Sequence, residues 1–183
     1  MSCENCLSSC VVTEDGKDFD AVMEIYDRLF PPSEKVPREA LLQVAQSENG
    51  QLKIYKDGDT LCGFTFTIKD EVFTYLMFFA VNDTLQSKGY GSKIVQTFKA
   101  ENSDRPILFA IEDPEEKGAE NKEQRIRRRA FYEKNGFELT GSTAVSEKGD
   151  FLLMGTTKDV KSVYDKSLVF QKVAEFAGFT LNF

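Results

Sequence analysis

Apolar positions along the chain recur with two periods, and the change of period marks where helix gives way to strand. Between Lys17 and Phe30, Phe19, Val22, Met23, Tyr26, Leu29 and Phe30 are spaced three and four apart, the stripe of one helix face. Pro31-Pro32 removes the N–H groups that a further turn would need and ends that helix. Leu41, Leu42, Val44 and Ala45 predict a second helix over Arg38–Glu48. The period then falls to two. Leu52 and Ile54, and after them Cys62, Phe64, Phe66 and Ile68, alternate with polar neighbours on either side of Asp57-Gly58-Asp59, which predicts an antiparallel hairpin. Val72–Val81 is almost continuously apolar, the pattern of a central strand covered on both faces.

Gln86–Ala100 reads as a glycine turn opening into a helix with Ile94, Val95 and Phe98 inside. Ile107–Ile111 is a short buried strand ended by Asp113-Pro114, and the next helix stops near Asn135-Gly136. Phe137–Val145 and Phe151–Thr157 form a second hairpin around Lys148-Gly149-Asp150, and Val160–Phe176 is amphipathic. Helices, antiparallel strands, helix, strand, helix and hairpin in that order predict an α+β fold: a mixed, mostly antiparallel sheet flanked by helices.

At 183 residues the chain suits one substantial α/β domain. No stretch reaches the length of a membrane-spanning helix, and Met1–Thr13 has neither a basic nor an apolar leader region, so a cytoplasmic protein without membrane partners is expected. The net charge of −7, with one dense basic run at Arg125–Arg129, argues against nucleic acid as a partner. Cys3, Cys6 and Cys10 make a C-x2-C-x3-C run in a chain with no histidine. Without a fourth ligand, unless the fold supplies Cys62, free thiols and no metal are expected.

The chemistry concentrates at Phe78–Ser92, where a buried strand runs into a glycine turn and then a helix. A helix N-terminus offers unpaired N–H groups and a partial positive charge to a pyrophosphate, and glycine lets the backbone approach without a Cβ in the way. Lys88 adds charge and Ser92 a hydroxyl. The turn lacks the third glycine of a dinucleotide fingerprint and the G-K-[ST] of a P-loop.

Gln86-Ser87-Lys88-Gly89-Tyr90-Gly91 resembles the [Q/R]-x-x-G-x-[G/A] pyrophosphate motif of the GNAT acetyltransferases. Phe131-Tyr132-Glu133-Lys134-Asn135-Gly136-Phe137, further along, resembles that family's second signature. The resemblance implies an N-acetyltransferase domain over residues 1–158, with 1–10 a cysteine-bearing tail, that moves an acetyl group from acetyl-CoA to a primary amine of a small molecule or peptide. Residues 159–183 would be a C-terminal segment packed on the domain or on a partner subunit, giving a monomer or homodimer. Phe79, Ala80 and Val81 would pair with pantetheine, and Gln86, Ser87, Lys88, Gly89, Tyr90, Gly91 and Ser92 would hold the pyrophosphate. Tyr132 would be the general acid for the departing thiolate. With no histidine, the general base falls to Glu112, as base or amine anchor, or to Glu34 in the loop that covers the acceptor in the family. Arg125 stands where many members have Asn, and is expected either to contact CoA phosphate or an acidic acceptor, or to balance the acids of 112–123. Alternative readings are a protein acetyltransferase and an acyl-CoA-binding sensor without catalysis.

Overall fold

A computed structural model describes residues 7–32, 34–85, 88–147 and 149–183, and the chain divides into two compact units, Met1–Lys69 with Leu76–Glu101, and Asp70–Tyr75 with Asn102–Phe183. In the first unit the strands run in the order β1-β2-β3-β4. β1 (Ser8–Val12) pairs antiparallel with β2 (Gly50–Asp57), from Ser8↔Lys56 to Val12↔Leu52. β2 pairs with β3 (Thr60–Lys69) across a two-residue turn at Gly58-Asp59. Their register shifts between Tyr55, opposite Gly63, and Lys56, opposite Leu61, so that Cys62 is a bulge residue. α1 (Lys17–Leu29) buries Phe19, Val22, Met23, Ile25 and Tyr26 in a core with Leu41 and Ala45 of α2 (Arg38–Gln46) and with Leu52, Ile54, Phe64 and Phe66. Of the periodic residues of α1, Phe19, Val22, Met23 and Tyr26 are thus removed from water, while Leu29, in the last turn, is exposed.

β4 (Thr74–Val81) straddles the division, with Leu76–Val81 in the first unit. A 3-10 turn, Asp83–Leu85, and α3 (Tyr90–Glu101) follow it. Thr74 and Tyr75 belong to the second unit, where they pair parallel with Ile107 and Leu108 of β5 (Ile107–Glu112). From there the order is β5-β7-β6-β8, all antiparallel, with β6 Glu138–Ser146, β7 Gly149–Gly155 and β8 Thr180–Asn182. α4 (Lys122–Lys134) connects β5 to β6. The fold is the expected mixed, mostly antiparallel sheet flanked by helices.

Two departures from the sequence pattern have physical causes. Ser8–Val12, expected within or beside a tail, is a strand, but only Val12 is buried in it, so no alternation marks it. The C-terminal stretch is two helices, α5 (Val160–Lys166) and α6 (Leu168–Ala177), divided at Ser167. The Ser167 hydroxyl accepts the Phe170 N–H as N-cap of α6 and donates to Asp70 Oδ2. Phe170 stacks on Phe73 with ring centroids 4.9 Å apart, and β8 pairs with β6, so the segment packs within its own unit. Among the described residues, no helix is long and apolar enough to cross a membrane.

Candidate active site

Asn82 and Asp83, which follow β4, are tied to the elements around them. The Asn82 N–H donates to the Cys62 carbonyl at 2.8 Å, and Asn82 Nδ2 to the Leu61 carbonyl at 3.0 Å, so the end of β4 is tied to the bulge in β3. Asn82 Oδ1 in turn accepts the Thr84 N–H and hydroxyl, which shapes the 3-10 turn. Arg28 of α1 pairs with Asp83 at 2.8 Å. Gly89 then takes φ +72°, in the left-handed region, and α3 begins at Tyr90. Tyr90 is buried and its hydroxyl donates to Asp57 Oδ2 at 2.8 Å. Hydrogen bonding to a carboxylate, with burial added, pushes its phenol up to about 12.

The described members of the expected cofactor set in this stretch belong to the first unit. Ala80 is buried, Phe79 and Val81 are half-buried, Lys88 and Gly89 are exposed, and Gly91 and Ser92 stand in the first turn of α3. Backbone N–H groups of a first turn have no partner within the helix, so Tyr90, Gly91 and Ser92 bring donors of the kind an anion needs. Positive φ is a property of Gly89 and not of helical Gly91. Gln86 and Ser87 lie outside the described residues, as do Cys3 and Cys6. Cys10 is exposed and Cys62 buried, both as free thiols, and no metal-binding group occurs among the described residues.

Glu34 is exposed in the loop between α1 and α2, where its N–H donates to the Pro31 carbonyl. Lys35 beside it reaches the Asp27 carboxylate at 2.9 Å, and the Val36 N–H donates to the Tyr26 hydroxyl at 2.8 Å. Tyr26, Asp27, Lys35 and Val36, with Met23, Pro37 and Arg38, border an open cleft of about 340 Å3.

Glu112, Arg125 and Tyr132 belong to the second unit. Glu112, expected as base or amine anchor, has both carboxylate oxygens engaged, Oε1 by Arg125 at 2.9 Å and Oε2 by Arg128 at 3.0 Å. Arg125, expected to contact cofactor or acceptor or to balance the acids, also donates to Asn121 Oδ1, the Asp113 carbonyl and Glu116 Oε2. Its side chain is only 11 % exposed. With four bonds made inside this acid network, the guanidinium binds the end of β5, the following loop and the start of α4 to one another. Tyr132 lies two helical turns further along the same face of α4, its ring centroid 4.4 Å from that of Phe109 and 6.0 Å from that of Phe137. Burial pushes the Tyr132 phenol up to about 12, against a smaller opposing effect of Arg128.

A family model for the acetyltransferase (GNAT) domain matches residues 48–139, half of the chain. The chain belongs to the GNAT acetyltransferase family. Among solved structures, a Bacteroides thetaiotaomicron protein described as a GNAT-family acetyltransferase shares 26 % identity over 87 % of this chain and 94 % of its own, with a TM-score of 0.72. The ribosomal-protein-S18-alanine N-acetyltransferase of Escherichia coli has the same fold at 17 % identity and TM-score 0.58, over 81 % of this chain and 92 % of its own. So does an Elizabethkingia anophelis GNAT acetyltransferase solved with acetyl-CoA bound, at 16 % identity and TM-score 0.56, over 84 % and 99 % of the two chains. No curated protein matches the chain in sequence.

This GNAT chain is an acetyltransferase, and the matched span contains the glycine turn, Glu112, Arg125 and Tyr132. Three residues that shape the turn escape the sequence motif. Asp57 and Gly63 belong to the preceding hairpin, and Arg28 is in α1, so their link to the turn is visible only in three dimensions. The one local hint was the Asp57-Gly58-Asp59 tip, which reads equally as an ordinary turn.

Proposed function

We propose that this GNAT protein transfers the acetyl group of acetyl-CoA directly to a primary amine of a small molecule or peptide. The observation that carries the reading is the run of β4, the left-handed Gly89 and the open first turn of α3, which sets three backbone donors at one helix end. In this reading the pyrophosphate lies on Lys88–Ser92, and pantetheine pairs with the backbone of Phe79, Ala80 and Val81. An N–H of that stretch faces the thioester oxygen as it gains charge.

Tyr132 is the proton donor of this proposal. Its phenol, near 12, stays protonated throughout the neutral range, whereas a thiol in water loses its proton near pH ~8.5. Complete transfer to a solvated thiolate would be uphill by about 5 kcal/mol. Tyr132 therefore acts first as a hydrogen-bond donor to the developing thiolate, and transfers its proton as burial raises the basicity of the sulfur. A primary amine of pKa near ~10 reaches the site mostly protonated. Glu112 is held by two arginines, so its role is to anchor α4. Glu34, exposed in its loop, takes the ammonium proton and passes it to solvent. The second proton, which nitrogen sheds as the C–N bond forms and the C–S bond breaks, replaces the one that Tyr132 gives to sulfur.

Calorimetry with acetyl-CoA, and a free-thiol release screen against amines, polyamines, amino acids and aminoglycosides, test the proposal together. Acetyl-CoA binding that vanishes in Gly89→Val, with circular dichroism unchanged, is the expected result. A wild-type protein that neither binds acetyl-CoA nor releases thiol with any amine sinks it.

A further inference from the structure

The first turn of α3 starts immediately after Gly89, a residue that does little to fix it. Nothing lies within 4 Å of the point where a Gly89 Cβ would stand, and φ of +72° is one that glycine enters and leaves without steric cost. The direction of the helix end is set by the next residue. Tyr90 buries its ring and sends its hydroxyl to Asp57 Oδ2 at 2.8 Å, a bond spanning 33 residues. Asp57 closes β2 at an exposed hairpin tip, and this bond turns its carboxylate towards α3. Lys93, one turn into the helix, holds its ammonium 5.5 Å from the centre of the same ring, and the Cys62 thiol of the bulge neighbours the hydroxyl.

We propose that Asp57 and Tyr90 are a positioning pair that fixes the first turn of α3 and so aims its backbone N–H groups at the pyrophosphate of acetyl-CoA. The inference rests on the reading above that this turn holds the cofactor. Donors held in place before the ligand arrives bind it without a further ordering cost, so loosening the pair weakens binding even though neither side chain need touch the ligand. A charge effect alone has the opposite sign: removing the Asp57 carboxylate near an anion site would tighten binding.

Asp57→Asn, Tyr90→Phe and the double variant are measured by calorimetry with acetyl-CoA, and by steady-state kinetics with acetyl-CoA and with S-acetylpantetheine, which lacks the pyrophosphate. Each single change is expected to raise the acetyl-CoA Kd about tenfold, the scale of one charge-assisted hydrogen bond. The double variant is expected to lose no more than either single one, because the two residues act as a unit. For Asp57→Asn the loss falls on KM for acetyl-CoA, with KM for S-acetylpantetheine moving less than about twofold. Asp57→Asn binding as tightly as wild type or more tightly, losses that multiply in the double variant, or equal weakening with both donors each overturn the pairing. A wild-type protein that binds no acetyl-CoA overturns the cofactor reading instead.

Discussion

Gly63 of β3 lies so near Ala80 of β4 that a methyl group added to it would meet the Ala80 carbonyl oxygen at 2.2 Å. The clash is with backbone, so β4 itself would have to shift, at the residues proposed to pair with pantetheine. Gly63→Ala is expected to lower stability by about 2–3 kcal/mol and to weaken acetyl-CoA binding. Gly58→Ala is the control: φ is +57° there, but nothing lies within 4 Å, so backbone strain of about 1 kcal/mol is the whole cost. Urea unfolding and calorimetry on both variants measure the difference. Equal losses in the two would show that close approach at Gly63 is unimportant.

Tyr132→Phe removes the phenolic proton and keeps the ring against Phe109 and Phe137. A fall in kcat of roughly ten- to a thousandfold is expected, with acetyl-CoA affinity little changed. The phenols of Tyr75 and Tyr132 are both raised to about 12 by burial. Their neutral forms therefore stabilise the fold fully below pH ~10, and that contribution, about 3 kcal/mol each, is lost as pH rises from ~10 to ~12. Unfolding monitored against tyrosinate absorbance tests this. An alkaline transition complete below pH ~10 would contradict it.

Removing Arg125 leaves Glu112 and Glu116 without their shared cation. Arg125→Met is expected to cost about 2–4 kcal/mol, nearer the buried-pair range than the surface one because Arg125 is 11 % and Glu112 19 % exposed. Arg125→Lys keeps the charge but cannot span four acceptors from one ammonium, and should fall between. Denaturant midpoints measure both. A stability for Arg125→Met within about 0.5 kcal/mol of wild type would dismiss the network as a surface ornament.

Truncation after Lys158 deletes Val160, Val163 and Phe170, all buried, and uncovers Phe73 and Tyr75. Aggregation or a drop in Tm of many degrees is expected, since several core side chains go at once. A soluble, folded truncated protein in light scattering and circular dichroism would overturn this account of the segment.

The helices and strands with strong periodicity were legible because one face of each is buried. α1 shows it best, its stripe from Phe19 to Tyr26 becoming core residue by residue. β1 and β8 were not, since short edge strands bury too little to imprint a pattern, and a serine inside an amphipathic run does not announce that it caps a new helix. The glycine turn was readable because its chemistry is written in consecutive residues. Its supports were not: Asp57, Gly63 and Arg28 meet it from elsewhere in the chain. Sequence left Arg125 between a ligand contact and the acids of 112–123, and could not show that Arg125 and Arg128 each take one oxygen of Glu112, because that depends on how α4 lies against the end of β5.

The bond from Ser167 to Asp70 joins residues 97 apart, and it completes a turn in which Asp70 Oδ1 already accepts the Val72 and Phe73 N–H groups. The β2–β3 hairpin of the first unit, by contrast, closes across two residues. Because long loops are costlier to close than short ones, the two contacts differ in kinetic character: the hairpin can form locally, while the Ser167–Asp70 bond waits for distant stretches of chain to find each other. Hydrogen exchange pulsed during refolding should therefore mark the amides of β2 and β3 as protected before the Phe170 N–H.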